Sequence, residues 1–122
     1  MAIETMGPRK AEFMISEANA YRSRDEVTVD ASAGALEPGT VLGKLTANGK
    51  FVRHNPDASP EDGSENEAGI LFEGIGEEEA ERTIIARDAE VRGDDLTYAD
   101  GADATQINAS NEALAALGIV VR

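Results

Sequence analysis

The sequence predicts a mainly β domain of the α+β class, with one short C-terminal helix and an extended N-terminal arm. Three observations lead to this fold class. Short runs rich in β-branched and large apolar residues recur along the chain and are separated by turn residues. An Asn-Gly pair lies between two such runs, as in a β-hairpin. The pattern then changes near residue 103 to the spacing of a helix.

Two predicted turns fix the positions of the first strands. The folded body is expected to begin near residues 27–29, where Val-Thr-Val has the β-branched content of a strand. Pro-Gly at residues 38–39 suits a type II turn, since proline presets φ and glycine accepts positive φ. Residues 41–46 should be the next strand. Asn-Gly at residues 48–49 predicts a two-residue type I′ turn that returns the chain through residues 50–53.

The middle of the chain predicts an exposed loop and two further strands. Residues 55–67 contain two prolines, a glycine and no apolar side chain larger than alanine, which is typical of an exposed loop. The apolar run at residues 68–74 predicts a short buried strand. Residues 82–91 predict one longer strand with charged residues at its edges.

The C-terminal part predicts a capped helix and a closing strand. Asp103 is a plausible N-cap because Gln106 follows at the position of a capping box. The large apolar residues of this segment fall near one helical face: Ile107, Leu114 and Leu117. Gly118 supplies a positive-φ stop, and residues 119–121 predict a final strand that returns to the sheet.

Composition excludes several classes of protein. A chain of 122 residues is the size of one domain, and we find no internal repeat. Without cysteine there is neither a disulfide framework nor a thiolate metal site, which favours assembly inside a cell. The first residues lack the apolar run of a signal peptide, and no window has the length of a membrane span, so we expect no membrane association.

The net charge of −13 argues against direct binding to nucleic acid, because phosphates would be repelled from most of the surface. Ten acidic residues and no lysine or arginine lie between Arg53 and Arg82. Such a run is most often a solvated face that keeps a protein soluble. The alternative from another functional class is an acidic DNA mimic that inhibits a nucleic-acid-binding protein.

No set of residues predicts an enzyme, a metal site or a cofactor site. The one histidine, His54, has no neighbouring nucleophile and no second histidine, so a surface or loop-anchoring role is favoured. The loop at residues 55–67 fails the EF-hand pattern, because Asp62 occupies the position of the required glycine and Ala68 that of the closing carboxylate. Lys50 lies beside a hairpin tip, like the modified lysine of biotinyl carriers, but lacks the expected neighbours.

The order of five segments carries a resemblance to a known family. The segments are EFMISEANAYRSRDEVTV, LEPGTVLGKLTANGKFV, AGILFEG, IIARDAEV and ALAALGIVVR. Together they resemble the lambda-like head decoration proteins of tailed bacteriophages, the protein D family, from about residue 12 to residue 122. None of these segments is a catalytic signature, and their specificity lies in their order and spacing.

The resemblance implies a small β-tulip or barrel-like domain that forms homotrimers. Such trimers bind the outside of the expanded phage head at local threefold positions and hold neighbouring coat subunits together. It therefore implies a structural virion protein that is assembled in the host cytoplasm and whose partners are the major capsid protein and further copies of itself. Residues 1–23 would be the extended arm and residues 24–122 the single decoration domain.

The resemblance also implies that the N-terminal arm reaches the coat protein. Residues 12–16 could add as a strand to a sheet edge of a coat subunit, with Phe13 and Ile15 on one side and Met14 on the other. Three arms on one trimer would then act together through effective concentration. The residues expected to contact the coat protein are Glu12, Phe13, Met14, Ile15, Ser16, Glu17, Tyr21, Arg22 and Arg24.

The alternative for the apolar residues 13–15 is that they pack on the body of their own subunit, as N-terminal strands often do. The residues alone do not distinguish this packing from contact with the coat protein.

Overall fold

A computed structural model describes residues 12–18 and 22–122. In this part of the chain the strands are β1 (Met14–Glu17), β2 (Arg24–Val29), β3 (Val41–Lys44), β4 (Phe51–Arg53), β5 (Glu67–Leu71), β6 (Ala80–Ile85), β7 (Ala89–Val91) and β8 (Ile119–Val121). The α-helix is α1 (Ala104–Ala116), and short 3₁₀ turns occupy Ala31–Ala33 and Gly93–Asp95. The mainly β class with one C-terminal helix is confirmed.

Five strands form a closed barrel in the order β2-β4-β3-β5-β6, which closes through the antiparallel β2–β6 pair. Each strand contributes one large apolar side chain to the same buried cluster: Val29, Leu42, Phe51, Leu71 and Ile84. These side chains fill the interior of the barrel, as expected for a barrel of this size.

The second sheet has three strands in the order β1-β7-β8. β1 pairs with β7 antiparallel, and β7 pairs with β8 parallel. A second buried cluster joins this sheet to α1 and to the outside of the barrel: Phe13, Val41, Ile70, Phe72, Ile85, Ala89, Val91, Leu96, Leu114 and Ile119. Strands β3, β5 and β6 each contribute consecutive apolar residues to both clusters, since Val41, Ile70 and Ile85 lie in the second cluster and Leu42, Leu71 and Ile84 in the barrel interior.

The hairpin between β3 and β4 is confirmed, but its predicted turn type is wrong. A type I′ turn needs positive φ at both central residues, whereas among the described non-glycine residues only Asp88 has positive φ. Instead, the Leu45 N–H donates to the Lys50 carbonyl over 2.8 Å, and the Gly49 N–H donates to the Leu45 carbonyl over 2.9 Å. The loop is consequently four residues long. The type II turn before β3 is consistent with φ of 90° at Gly39.

Residues 82–91 are not one strand. They divide between β6 in the barrel and β7 in the second sheet, and Asp88 with φ of 52° lies at the change of direction. The loop at residues 55–67 is not wholly exposed either, because Ser64 is 2% exposed. A Cβ on Gly43 would lie 2.6 Å from the Ser64 backbone, so this loop packs directly on β3.

The capped helix, its glycine stop and the closing strand are confirmed. The Asp103 side chain accepts a hydrogen bond from the Gln106 N–H, and the Gln106 side chain accepts one from the Asp103 N–H, which together form a capping box. Gly118 has φ of 92°. Leu114 is fully buried, whereas Leu117 is 37% exposed, so only part of the expected apolar face reaches the core.

Candidate functional site

The first residue of the apolar segment, Phe13, lies in the core of its own subunit. Its side chain is 1% exposed, and it belongs to the cluster between the two sheets. A Cβ built on Gly39 would lie 3.4 Å from the Phe13 Cδ1, which places the ring against the turn before β3. Within the single chain, Phe13 therefore packs on its own subunit, as in the alternative described above, and its contact with the coat protein stays a prediction.

Met14 and Ile15 have different surroundings from Phe13 and from each other. Met14 is half-buried against the same cluster, while Ile15 is 44% exposed. The pairing of β1 with β7 shifts register between Met14 and Ser16, so the simple alternation of sides fails at Ile15. Phe13 and Ile15 consequently do not share the one contact face that a regular strand would give them.

β1 is an edge strand of the described sheet. Its partners on β7 are given by the pairs Met14 with Val91, Ser16 with Glu90, and Glu17 with Ala89. Within the described residues no strand pairs with its other edge. Backbone N–H and C=O groups along such an edge can pair with an added strand.

The end of β1 is fixed to the barrel by Glu17. Its carboxylate accepts hydrogen bonds from the Ser23 hydroxyl and from the Arg24 guanidinium, whose Nε lies 3.1 Å from Oε2. The Arg24 guanidinium also lies over the Phe72 ring, 4.2 Å from its centroid. The hydrogen bonds from Arg24 and Ser23 lower the pKa of Glu17 below its usual range. This network holds the N-terminal strand to the body.

The other expected contact residues fall into two groups. Glu12, Ser16 and Arg22 are exposed, and the Arg22 Nε lies 3.4 Å from the Asp88 carboxylate. Glu17 and Arg24 are held in the network with Ser23. Tyr21 lies outside the described residues, as do residues 1–11 of the expected arm.

The boundary between arm and body at residues 23 and 24 stays a prediction, but part of the expected arm is ordered on the body. Residues 14–17 form a strand of the second sheet and are not a separate extended segment. The side chain that makes this difference is Phe13, because it is buried with the core residues of the body.

The second sheet exposes a face that the sequence reasoning did not identify. Ser16, Glu90 and Val120 form one row across its three strands. The Glu90 carboxylate accepts from the Ser16 hydroxyl over 3.1 Å and from the Arg122 Nε over 2.9 Å, and the Arg122 and Ser16 hydrogen bonds lower the pKa of Glu90. Val120 is 40% exposed. The sequence signal for its exposure was the position of Val120 between Ile119 and Val121, because alternate side chains of a strand point to opposite faces.

His54 has a structural role and is not on the surface. It is 4% exposed, and its Nε2 lies 2.8 Å from the Glu67 carboxylate and 3.0 Å from the Glu65 carbonyl. Both neighbours are acceptors, so Nε2 carries the proton. The loop-anchoring role is the one observed, since His54 joins the end of β4 to the start of β5.

A cleft of about 420 Å³ opens beside His54, lined in part by Arg53, Asp57, Asp62 and Asp100. No cluster of three or more potential metal ligands occurs among the described residues. In that part of the chain no helix has the length and apolar character needed to cross a membrane.

The acidic residues lie mostly in exposed loops of the barrel. Glu77, Glu78 and Glu79 precede β6 and are exposed, and the Lys50 Nζ lies 2.7 Å from the Glu79 carboxylate. Glu67 is largely buried instead, since its side chain is 9% exposed in the pair with His54. The acidic residues on the strands of the second sheet are Glu17 and Glu90, and both accept hydrogen bonds from arginine.

Comparison with known proteins connects this architecture to a family. The model of the bacteriophage lambda head decoration protein D family matches residues 3–119, which is nearly the whole chain. A search of curated proteins gave no match. The family match includes the whole barrel, β1, β7 and α1, and ends at the first residue of β8. The chain belongs to the bacteriophage lambda head decoration protein D family.

Proposed function

We propose that this protein binds as a homotrimer to the outside of an expanded phage head at local threefold positions and stabilises contacts between coat subunits. The family supports decoration of the capsid and, with it, the major coat protein as partner. The role is structural and has no catalytic step. Assembly takes place in the host cytoplasm, and nucleic acid is not contacted directly.

The N-terminal segment supplies the coat contact, and the observation that carries this proposal is the edge position of β1. A coat strand added to the free edge of β1 extends the order β1-β7-β8 by one strand. Main-chain hydrogen bonds stabilise such an addition, and side chains at the edge select the partner. Ile15, which is 44% exposed, is the apolar side chain available for that selection.

Phe13 acts as an anchor in this arrangement. Its burial fixes the start of β1 on the body, and the Glu17 network fixes the end. The strand is then ordered before the coat protein binds, so less conformational entropy is lost on binding than for a free arm. Residues 1–11 precede this anchored strand and extend the contact.

Trimerisation strengthens binding to the head, because each single contact is weak. Strand addition by one short segment is weak, since each ordered residue loses on the order of 1 kcal/mol or more. Three copies of β1 on one trimer bind together, because binding of the first raises the effective concentration of the others. The exposed acidic loops, including Glu77–Glu79 before β6, point away from the coat and discourage particles from associating with each other.

The DNA-mimic alternative rests on negative charge alone. The acidic side chains lie on several loops, and the family of the chain is one of capsid decoration. We therefore propose the decoration role alone.

Co-sedimentation with expanded heads that lack the protein tests the proposal. A variant without residues 1–11 and the variant Ile15→Asp should keep the trimeric mass and bind heads at least about tenfold more weakly. Ala47→Asp, in the exposed loop between β3 and β4, is the matched control and should bind normally. Deletion through residue 16 is unsuitable, because it would remove Phe13 from the core.

Normal binding by both the truncated protein and Ile15→Asp would contradict the proposed N-terminal contact. A monomeric mass for the unmodified protein would contradict the trimer.

A further inference from the structure

The outer face of the second sheet is the most apolar exposed surface of the described chain. The exposed large hydrophobic residues of the described part are Ile15 (44%), Leu117 (37%) and Val120 (40%). Ile15 lies on β1 and Val120 on β8. Leu117 lies in the turn that leads into β8. The three residues are thus associated with one sheet and its entry, and not with the barrel.

The orientation of Val120 follows from the register of β8. Val120 lies opposite Glu90 in the β7–β8 pair, and the neighbours of Glu90, Ala89 and Val91, are buried. Its own neighbour Ile119 is fully buried, and Val121 packs against the core. Since side chains alternate along a strand, Val120 and Glu90 project from the face opposite the core.

Electrostatics make this face suitable for burial. Glu90 is the acidic residue in the central row, and Arg122 and Ser16 both donate to its carboxylate. Its charge is therefore compensated by the Arg122 guanidinium. A compensated row flanked by apolar side chains loses less on desolvation than an unpaired carboxylate would.

The far edge of β8 also has backbone groups in position for pairing. The Ala89 N–H donates to the Gly118 carbonyl, and the Arg122 N–H donates to the Val91 carbonyl. In a parallel ladder this pattern directs the N–H and C=O groups of Ile119 and Val121 to the opposite edge. Among the described residues no strand pairs with that edge.

We infer that this outer face, at Val120 on β8, is a second docking surface for the major coat protein, separate from the edge of β1. This inference rests on the proposed function, because the outer face adjoins the edge of β1, where the coat protein is proposed to bind. β1 and β8 are the two outer strands of the same sheet, about 10 Å apart. A coat subunit bound at the edge of β1 therefore lies beside Ile15, at the border of this face.

The occupant is an extended apolar segment of the coat protein. Its apolar side chains cover Val120, and its backbone pairs with the N–H and C=O groups of Ile119 and Val121 at the β8 edge. A second copy of this chain is the competing occupant, and the experiment separates the two.

Binding to heads by Val120→Asp, with Ala47→Asp as the matched control, tests the inference. Val120 is partly exposed in the free protein, so the charge is tolerated there, but it would be desolvated beneath a coat segment. We expect the trimeric mass and the unfolding midpoint to be retained and the apparent affinity for heads to fall at least about tenfold. Unchanged affinity, or a changed oligomeric mass, would overturn the inference.

Photo-crosslinking provides a readout that does not depend on the folding of a charged variant. A benzophenone amino acid replaces Val120 in the full chain, and heads saturated with this protein are irradiated. Crosslinks to the coat protein support the inference. Crosslinks only to another copy of the chain, or none while the same probe at Ile15 reaches the coat protein, refute it and leave the proposed β1 contact intact. If neither probe reaches the coat protein and the truncated protein binds normally, the proposed N-terminal contact fails too, whereas failure of the unmodified protein to bind heads would contradict the decoration role itself.

Discussion

Replacement of Phe13 by alanine tests whether the N-terminal strand belongs to the body of the free protein. The side chain is 1% exposed, so nearly all of its apolar surface is lost from the core. A phenylalanine buries on the order of 200 Å². At ~25 cal/mol per Å² this is roughly 5 kcal/mol, of which alanine retains about a third. The cavity left behind adds to the difference of about 3 kcal/mol, so we expect Phe13→Ala to lower the free energy of unfolding by roughly 3–5 kcal/mol.

Urea unfolding followed by circular dichroism measures this effect. With a slope of about 1.5–2 kcal/mol per M, the midpoint should fall by roughly 2 M. Variants are compared at equal protein concentration, because dissociation of an oligomer contributes to the transition. Ile15→Ala is the matched control, since Ile15 is 44% exposed and its truncation should change the midpoint far less. A Phe13→Ala loss below about 1 kcal/mol with an unchanged slope would refute the burial of Phe13 in solution.

Three further predictions concern contacts that hold the fold together. Glu17 has a lowered pKa, so Glu17→Gln should be less stable than the unmodified protein at neutral pH; this difference should shrink as the pH falls from about 4.5 through the folded-state pKa, as followed by urea midpoints against pH. Asp103→Ala should lower the free energy of unfolding by about 1 kcal/mol while Asp103→Asn, which can still cap, changes it less; equal losses would contradict the capping role. His54→Ala and Glu67→Ala should each lower it by roughly 3 kcal/mol, and the double variant should lose less than the sum; strict additivity in this cycle would show that the pair is not coupled.

The N-terminal strand shows how resemblance and structure combine. The resemblance directed attention to residues 12–17 as a coat-contacting segment, and the structure divides that segment by burial. Phe13 stabilises this protein, Glu17 joins β1 to the barrel, and Ile15 stays exposed at the edge. An apolar tripeptide near a chain end therefore cannot be assigned as a unit to one partner.

Local chemistry determined much of the secondary structure. The Pro-Gly turn before β3, the β3–β4 hairpin and the capped helix α1 all depend on residues close together in sequence. Their backbone preferences act within a few residues, so the sequence can be interpreted there without knowledge of the fold. The length of the hairpin loop was missed, because Asn48-Gly49 can occupy a longer loop as well as a two-residue turn.

The sequence by itself determined that this protein is mainly β, carries a C-terminal helix and resembles head decoration proteins. Only the tertiary structure decided that residues 82–91 divide between two sheets, that Phe13 is buried in its own subunit and that Val120 is exposed. A run of apolar residues indicates that its side chains need a buried environment, but it does not indicate which distant segment supplies that environment. That choice is made by long-range packing, where β1, β7 and β8 come together from opposite ends of the chain.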